Sequence, residues 1–436
     1  MREMSFRKTS STRSISSARL AAMLAAGVMI LGESVMLAAH AATLLEPFTI
    51  IENGGWCWFQ DERAIIFDGK IIAGGVAGED RAGMSGGDIV AVIFDPVTGR
   101  RTTTLLHEKL DRDDHAAPSF IEDMSGGVIA AYSTHGRDKF TRWRRLTEND
   151  ISPETVFASL TRTTYTNLLR TCVGEACRLW NFIRSEGGDP NFLVSDDDGT
   201  SWRYGGRLLK GPGTPYVKYV SDGEKIHFAA SDQHPRVFGT SLYYGTISAR
   251  DGSPATKPTN LEPVFVGDDG HRAWPIDIEV GDDGEPRILF SVQMKGWFPF
   301  EYFWPGQDNR YFLGSRQKDG RWSVSQIAYA GVSLYPAESE YTGLGAIDPN
   351  VKNRIVISAN VHPTTAFGLP HYELFEGTPV DGGWGWKSLT TESKADNLRP
   401  IIPSGEINGQ SILLWQQGKL RTYTNYSTEI VGLLLR

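Results

Sequence analysis

From about residue 48 onward the chain alternates short apolar runs with clusters of turn residues. "GKIIAGGVAG", "GDIVAVIFDP", "GGVIAAYSTHG", "NFLVSDDDG", "KIHFAASD", "SLYYGTIS", "PRILFSVQ", "RIVISANV" and "SILLWQQG" each read as a strand running into a turn. Val, Ile, Phe and Tyr fill the runs, and Gly, Asp, Asn and Pro break them, as pleated surfaces and tight turns respectively require. No stretch holds a helical period over three turns. "ENDISPETVFASL" is the best short helix candidate, with Asn149 or Ser152 as its cap.

The strand–turn unit recurs, which predicts blades rather than one sandwich. "SDDDGTSW", residues 195–202, fits S-x-D-x-G-x-x-W, the Asp-box of sialidase-like propellers. Its physics is a tight hairpin: carboxylate-to-backbone bonds hold the turn, Gly199 takes an unusual φ, and Trp202 packs beneath. Asp197 is therefore structural. "FDPVTGRRT", "RQKDGRWSV" and "PVDGGWGWKSL" are weaker relatives of the same turn. Roughly 390 residues at about 50–60 per four-stranded blade give about seven blades. The predicted fold is all-β, a seven-bladed β-propeller of four-stranded antiparallel blades, forming one catalytic domain over 42–436.

The N-terminus does not fit this pattern. "MREMSFRKTSSTRSISSARL" is basic and Ser-rich, an apolar run follows, and "AHA" at 39–41 presents small residues where a signal peptidase reads. Residues 1–41 are read as an export signal, which implies a secreted or periplasmic protein with no membrane association after cleavage. Gly32, Glu33 and Ser34 interrupt the apolar run before it reaches spanning length. The first 41 residues carry five Lys/Arg and two Asp/Glu, so removing their +3 takes the formal charge from −8 to −11. So acidic a chain, without a basic patch, is no nucleic-acid binder. An anionic ligand needs a local cluster of positive donors.

Composition adds little else. Hydrophobic residues at 40% and charged residues at 22% are ordinary for a globular chain, and 47 Gly with 12 Trp agree with the all-β reading. Of three cysteines, Cys57 lies between two tryptophans and reads as a small buried hydrophobe. Cys172 and Cys177, in "CVGEAC", are spaced for a small disulfide loop but do not demand one. A monomer is expected.

Propellers bind ligands at one end of the central channel, where loops converge. "DDHAAPSF" and "YSTHGRD" put His115 and His135 at two such strand–loop junctions, as a catalytic pair or as loop residues bonded to backbone. "TYTNLLR" carries Tyr165. Arg184 ends the apolar run "LWNFIR", where an unpaired guanidinium is costly, so it is either ion-paired or reserved for an anionic ligand. "PYVKYVSDG" adds Tyr216 and Tyr219, and "SDQHPR" adds His234 and Arg236, with His271 and Arg272 beyond. No spacing among them is a specific metal signature. His, Tyr and Arg without paired acids argue against a typical glycosidase. They suit β-elimination from a uronic acid: a cation neutralises the carboxylate, a neutral His or Tyr removes the C5 proton, and a Tyr or His protonates the departing O4. A histidine base predicts activity that rises at neutral to mildly alkaline pH.

Taken together, "GGWCWFQDERAIIFDGKIIAGGV", "DDHAAPSF", "YSTHGRD", "TYTNL", "NFIR" and "SDQHPR" resemble the BNR-4 repeat proteins. Within that group they are most similar to the seven-bladed polysaccharide lyases acting on uronates linked to rhamnose, the ulvan lyases and rhamnose–glucuronate lyases. The similarity runs from about residue 48 to the mid-300s, where "YTGLGAIDPN" joins it. The resemblance implies that His115 and His135 face the substrate. It implies Arg184 as carboxylate neutraliser, His115 or Tyr165 as base and acid, and His135 orienting the uronate. Arg236, Tyr219 and His234 are the expected substrate contacts. The partner is an anionic polysaccharide or oligosaccharide. The chemistry needs no cofactor, although relatives hold a structural calcium or zinc ion. Two other readings stay open: an exo-rhamnosidase of the same fold, and a non-catalytic carbohydrate-binding propeller.

Overall fold

The structure is a computed structural model that describes residues 46–436 except 62, 249–255, 282, 296–307 and 335–337. The export signal expected over 1–41 lies outside the described residues. Twenty-eight strands form seven four-stranded antiparallel sheets arranged as a seven-bladed propeller, the expected fold class. Blades 1 to 6 span 64–107, 119–158, 168–207, 217–265, 271–331 and 345–388, and within each the spatial order of strands is the chain order.

Blade 7 takes three strands from 396–434 and its outermost strand, Phe48–Ile51, from the N-terminal end of the described chain. That strand pairs with Asn425–Leu434 in the register Phe48↔Gly432. Position 432 must be glycine, because a Cβ there would lie 2.7 Å from the Phe48 ring. Phe48 in turn stacks on Phe94 of blade 1, with ring centroids 4.9 Å apart. Strand pairing and apolar packing thus close the ring.

Strands alternate direction outward from the channel. The turns after the first and third strands therefore lie at one end of the ring. The turns after the second strand and the crossovers between blades lie at the other, the upper face. Turn 195–202 follows the third strand of blade 3 and so lies at the lower end. Ser201 N–H and Oγ donate to Asp197 at 2.9 and 2.6 Å, and Gly199 sits at φ 79°. Cys172 and Cys177 face each other across the first hairpin of the same blade and are disulfide-bonded.

One element differs from expectation. The helix candidate at 148–160 contains no helix; Thr155–Ala158 forms the outer strand of blade 2, paired with Phe140–Leu146. Pro153 and the β-branched Thr155 and Val156 favour an edge strand over a helical turn. Inter-blade packing supplies the core, with Trp180 and Trp415 fully buried. Their indole N–H groups donate to Thr171 Oγ1 at 2.8 Å and Asn397 Oδ1 at 2.9 Å, so neither pays for its burial with an unmet donor. No helix among the described residues is long and apolar enough to cross a membrane.

Candidate active site

His115 sits in the crossover from blade 1 to blade 2, in a single 3-10 turn, Asp114–Ala116. Asp113 caps the turn, its Oδ1 accepting the His115 N–H at 3.0 Å, and Pro118 prevents the helix from continuing. His135 sits in the turn after the second strand of blade 2. Its N–H donates to Asp111 Oδ2 at 3.1 Å, and Gly136 at φ 66° lets the chain reverse.

Asp113 joins the two histidines. His115 Nδ1 lies 2.8 Å from Asp113 Oδ1, and His135 Nδ1 lies 2.8 Å from Asp113 Oδ2. The imidazoles stack face to face, 3.9 Å between centroids and 3° from parallel, and the Tyr423 ring stands perpendicular to both. Anchoring Nδ1 turns each Nε2 away from the carboxylate, and neither Nε2 has a hydrogen-bond partner among the described residues. Asp113 is nearly inaccessible. Burial alone would raise its pKa, but the hydrogen bonds from His115 and His135 outweigh it and hold the carboxyl well below the usual range.

The two rings carry different protons. Burial opposes charge on His115, yet the Cys57 sulfur and Tyr165 oxygen favour it, as do hydrogen bonds to Asp113 and Asp114, and its pKa lies well above 6.5. His135 is pushed below 6.5 by burial and then by the charge on His115. At neutral pH the stack holds one imidazolium, His115, and one neutral imidazole, His135.

Arg184 ends its strand by exchanging backbone hydrogen bonds with Thr164 in the blade 2–3 crossover, at 2.8 and 2.9 Å. Its guanidinium lies over the rings of Tyr165 and Tyr216, 4.9 and 4.4 Å from their centroids, and no carboxylate of the described residues pairs with it. Of the two roles the sequence leaves open for this arginine, the ion-paired one is not seen. Tyr165 occupies left-handed space at φ 66°, is buried beside His115, and its hydroxyl has no hydrogen-bond partner. Burial, first of all, keeps its pKa well above 10.

His115, His135, Arg184, His234 and Arg236 line one open cavity on the upper face. Arg236 N–H donates to His234 Nδ1 at 3.1 Å, and Nε2 of the same ring lies 3.3 Å from the Tyr216 hydroxyl. Burial and then Arg236 push His234 down to about 3, so it stays neutral. Two expected residues are placed differently. Tyr165 lies behind the cavity wall, and Tyr219 stacks on Phe182 at 4.1 Å between blades 3 and 4. Tyr219 alternates with Lys218 along its strand and so turns toward the neighbouring blade, whereas Tyr216, just before the strand, reaches the cavity.

Sequence reasoning missed part of the lining. Phe59 and Trp274 form an aromatic floor with Tyr216, and Glu338, Tyr341, Arg399 and Tyr423 complete the wall. Arg399, from the inner strand of blade 7, is buried with Nη1 2.6 Å from Asp114 Oδ2. Asp113 had a local signal, an Asp two residues before His115 at a helix start. The others are far apart in the chain and have none.

The candidate donor clusters among the described residues do not fit the structural ion expected of relatives. Two donor trios occur among the described residues, Cys57–Asp114–His115 and Asp113–His115–His135. Both use His115, whose Nδ1 already meets Asp113 and Asp114 at 2.8 Å. Neither offers the oxygen-rich shell of calcium or the four N/S ligands of structural zinc.

The fold and cavity define a seven-bladed propeller whose upper face presents a paired-histidine and arginine site. No protein-family model matches the chain, and no curated protein sequence matches it. Among solved structures, it is similar to a PL25 ulvan lyase, solved alone and bound to -[GlcA(1-4)Rha3S]-. The TM-score is 0.61 at 12% identity, covering 88% of this chain and 95% of that one. Polysaccharide lyase Uly1 is similar with a TM-score of 0.53 at 11% identity, over 90% of this chain and 99% of that one. At these identities the likeness is one of fold.

Proposed function

We propose that the protein is a polysaccharide lyase that cleaves a rhamnose/glucuronate glycan by β-elimination at the uronate. The observation that carries this reading is the half-buried Arg184 guanidinium, held between two aromatic rings with no carboxylate partner among the described residues, in the same cavity as the histidine pair. A guanidinium so placed is matched by a ligand carboxylate, gripped at two points. Neutralising that carboxylate makes the C5 proton removable.

The proton inventory supports a division of labour. Neutral His135, its Nδ1–H fixed on Asp113, offers an Nε2 lone pair as base. Charged His115 offers an Nε2–H as acid. The C5–H bond breaks to His135, its electrons form C4=C5, the C4–O4 bond breaks, and O4 takes the proton of His115. Base and acid then lie on one side of the substrate. That suits a gluco-configured uronate, in which the C5 hydrogen and O4 are on the same side. These roles differ from the sequence expectation, which had His115 or Tyr165 as base and acid and His135 as orienter. Among the described residues the cavity lining has one carboxylate, Glu338, where a glycosidase needs two. The likeness in fold to two polysaccharide lyases agrees with this reading. The Cys172–Cys177 disulfide accords with export to an oxidising compartment.

The test is ultraviolet absorbance during incubation with rhamnose/glucuronate polymers. A growing conjugated C4=C5 signal is expected. New reducing ends or free rhamnose without that signal would make the protein a hydrolase, and binding without either would make it a carbohydrate-binding propeller.

A further inference from the structure

The charges around the cavity are nearly matched. Arg399 is committed to Asp114 at 2.6 Å, and Arg236 to Glu338 at 3.3 Å. His115 is held by Asp113. Arg184 alone, among the described cations of the lining, has no carboxylate partner. Nearby, Arg272 is already occupied by Gln293, Ser339 and Glu340.

The two halves of the cavity also differ in kind. The blade 2–3 side holds the histidine stack and Arg184. The blade 4–6 side holds Arg236, Glu338, His234 and Trp274: one ion pair, one neutral imidazole and one indole. A guanidinium and a carboxylate side by side donate to and accept from vicinal hydroxyls. An added anion there would meet the Glu338 carboxylate. Like charges brought together at a binding surface cost affinity.

Building on the uronate reading above, we infer that the cavity admits one anionic group per bound repeat and that the Arg236–Glu338 pair forms a subsite for an uncharged sugar. The preferred glycan therefore carries no sulfate on the sugar that occupies this subsite. Glu338 is its specificity-determining residue.

The test compares ulvan with the same polymer after chemical desulfation, measuring kcat/KM by ultraviolet absorbance and Kd by calorimetry. The desulfated polymer should be preferred by about tenfold, equivalent to about 1.4 kcal/mol. Glu338→Gln removes the repulsion and should narrow the gap, whereas Arg236→Gln removes the neighbouring guanidinium charge and should widen it. Equal or better binding and turnover of the sulfated polymer, or a gap unchanged in Glu338→Gln, overturns the inference and leaves the lyase reading in place. Tighter binding of the desulfated polymer with no ultraviolet product from either would instead overturn the lyase reading and leave the subsite standing.

Discussion

Asp113→Asn tests the central claim, that one carboxylate sets the protonation of both histidines. Asn keeps the side-chain oxygen that caps the 3-10 turn, so the local fold is preserved while the charge is removed. In the native protein each carboxylate oxygen sits 2.8 Å from an imidazole nitrogen, at a side chain only 4% exposed. An imidazolium and a carboxylate about 4 Å apart attract by about 4 kcal/mol at an effective dielectric of about 20. Asp114, also 2.8 Å from His115 Nδ1, retains part of the field, so the His115 pKa should fall without losing all of its elevation. In the proposed mechanism the active form holds neutral His135 and charged His115. Native kcat/KM should therefore rise as pH increases through a value below 6.5, the His135 limb, and fall only well above 6.5, the His115 limb. In Asp113→Asn the alkaline limb moves down, and turnover at its optimum drops by about a hundredfold. Stability gives the control. The raised His115 stabilises the fold below its unfolded pKa, an effect lost as pH rises through the folded value. The depressed Asp113 stabilises it above about pH 4, an effect lost as pH falls. The melting-temperature deficit of the variant should thus be largest between about pH 4 and 6.5. A folded variant whose alkaline limb stays in place refutes the assignment of His115 as the charged partner.

Arg184→Lys keeps the charge but loses the two-point planar grip on a carboxylate, so kcat/KM should fall about a hundredfold in steady-state assays with little change in melting temperature. Tyr165→Phe removes a buried hydroxyl that has no partner, so turnover should change less than about threefold and the melting temperature should hold or rise. A large loss of kcat would restore Tyr165 as a proton carrier. Reducing the Cys172–Cys177 bond, which closes a loop of about six residues at the lower end, should cost about 2 kcal/mol of stability and leave kcat intact, checked by denaturation with and without reductant.

The all-β class and the blade count were legible because strand and turn signals alternate at short range, where residue type and spacing carry the information. His115, His135, Arg184, His234 and Arg236 were legible for a related reason. Each lies at or within a few residues of a strand end that the antiparallel pattern sends to the upper face. Tyr219 was misplaced because the run "PYVKYVSDG" does not reveal where its strand begins. With the strand starting at Val217, Tyr216 stays in the crossover and Tyr219 faces Phe182. The helix expected at 148–160 failed because its polar spacing ignored edge pairing with Phe140–Leu146. Glu338, Arg399 and Tyr423 were beyond reach. They come to the site from blades 5 to 7, and only closure of the ring sets them against residues more than two hundred positions earlier.

Closure and site formation are physically one event. The strand Phe48–Ile51 completes blade 7, and the chain that leaves it runs directly to the wall of the cavity. Gly55 exchanges two backbone hydrogen bonds with Val76 of blade 1, at 3.0 and 2.9 Å. The Trp56 carbonyl accepts from Arg399 at 2.5 Å and Gln416 at 2.7 Å, both on blade 7. Cys57 N–H donates to the Asp114 carbonyl at 3.0 Å, and Gln60 Nε2 donates to the carbonyls of His115 and Ala117 at 2.8 and 2.7 Å. Five consecutive residues, 56–60, thus tie the last blade to the turn that carries His115, while Arg399 reaches from that blade to Asp114. In an open ring Asp114 would lose its buried counter-charge and the 3-10 turn its backbone partners. The histidine stack, whose geometry depends on that turn, could not hold its 3.9 Å spacing. Strain at Arg399, at φ 52°, is tolerated for the same reason: the closed ring fixes its position on both sides. The blades supply rigidity, and the crossovers at the closure between blades 7, 1 and 2 convert it into a fixed pair of imidazoles.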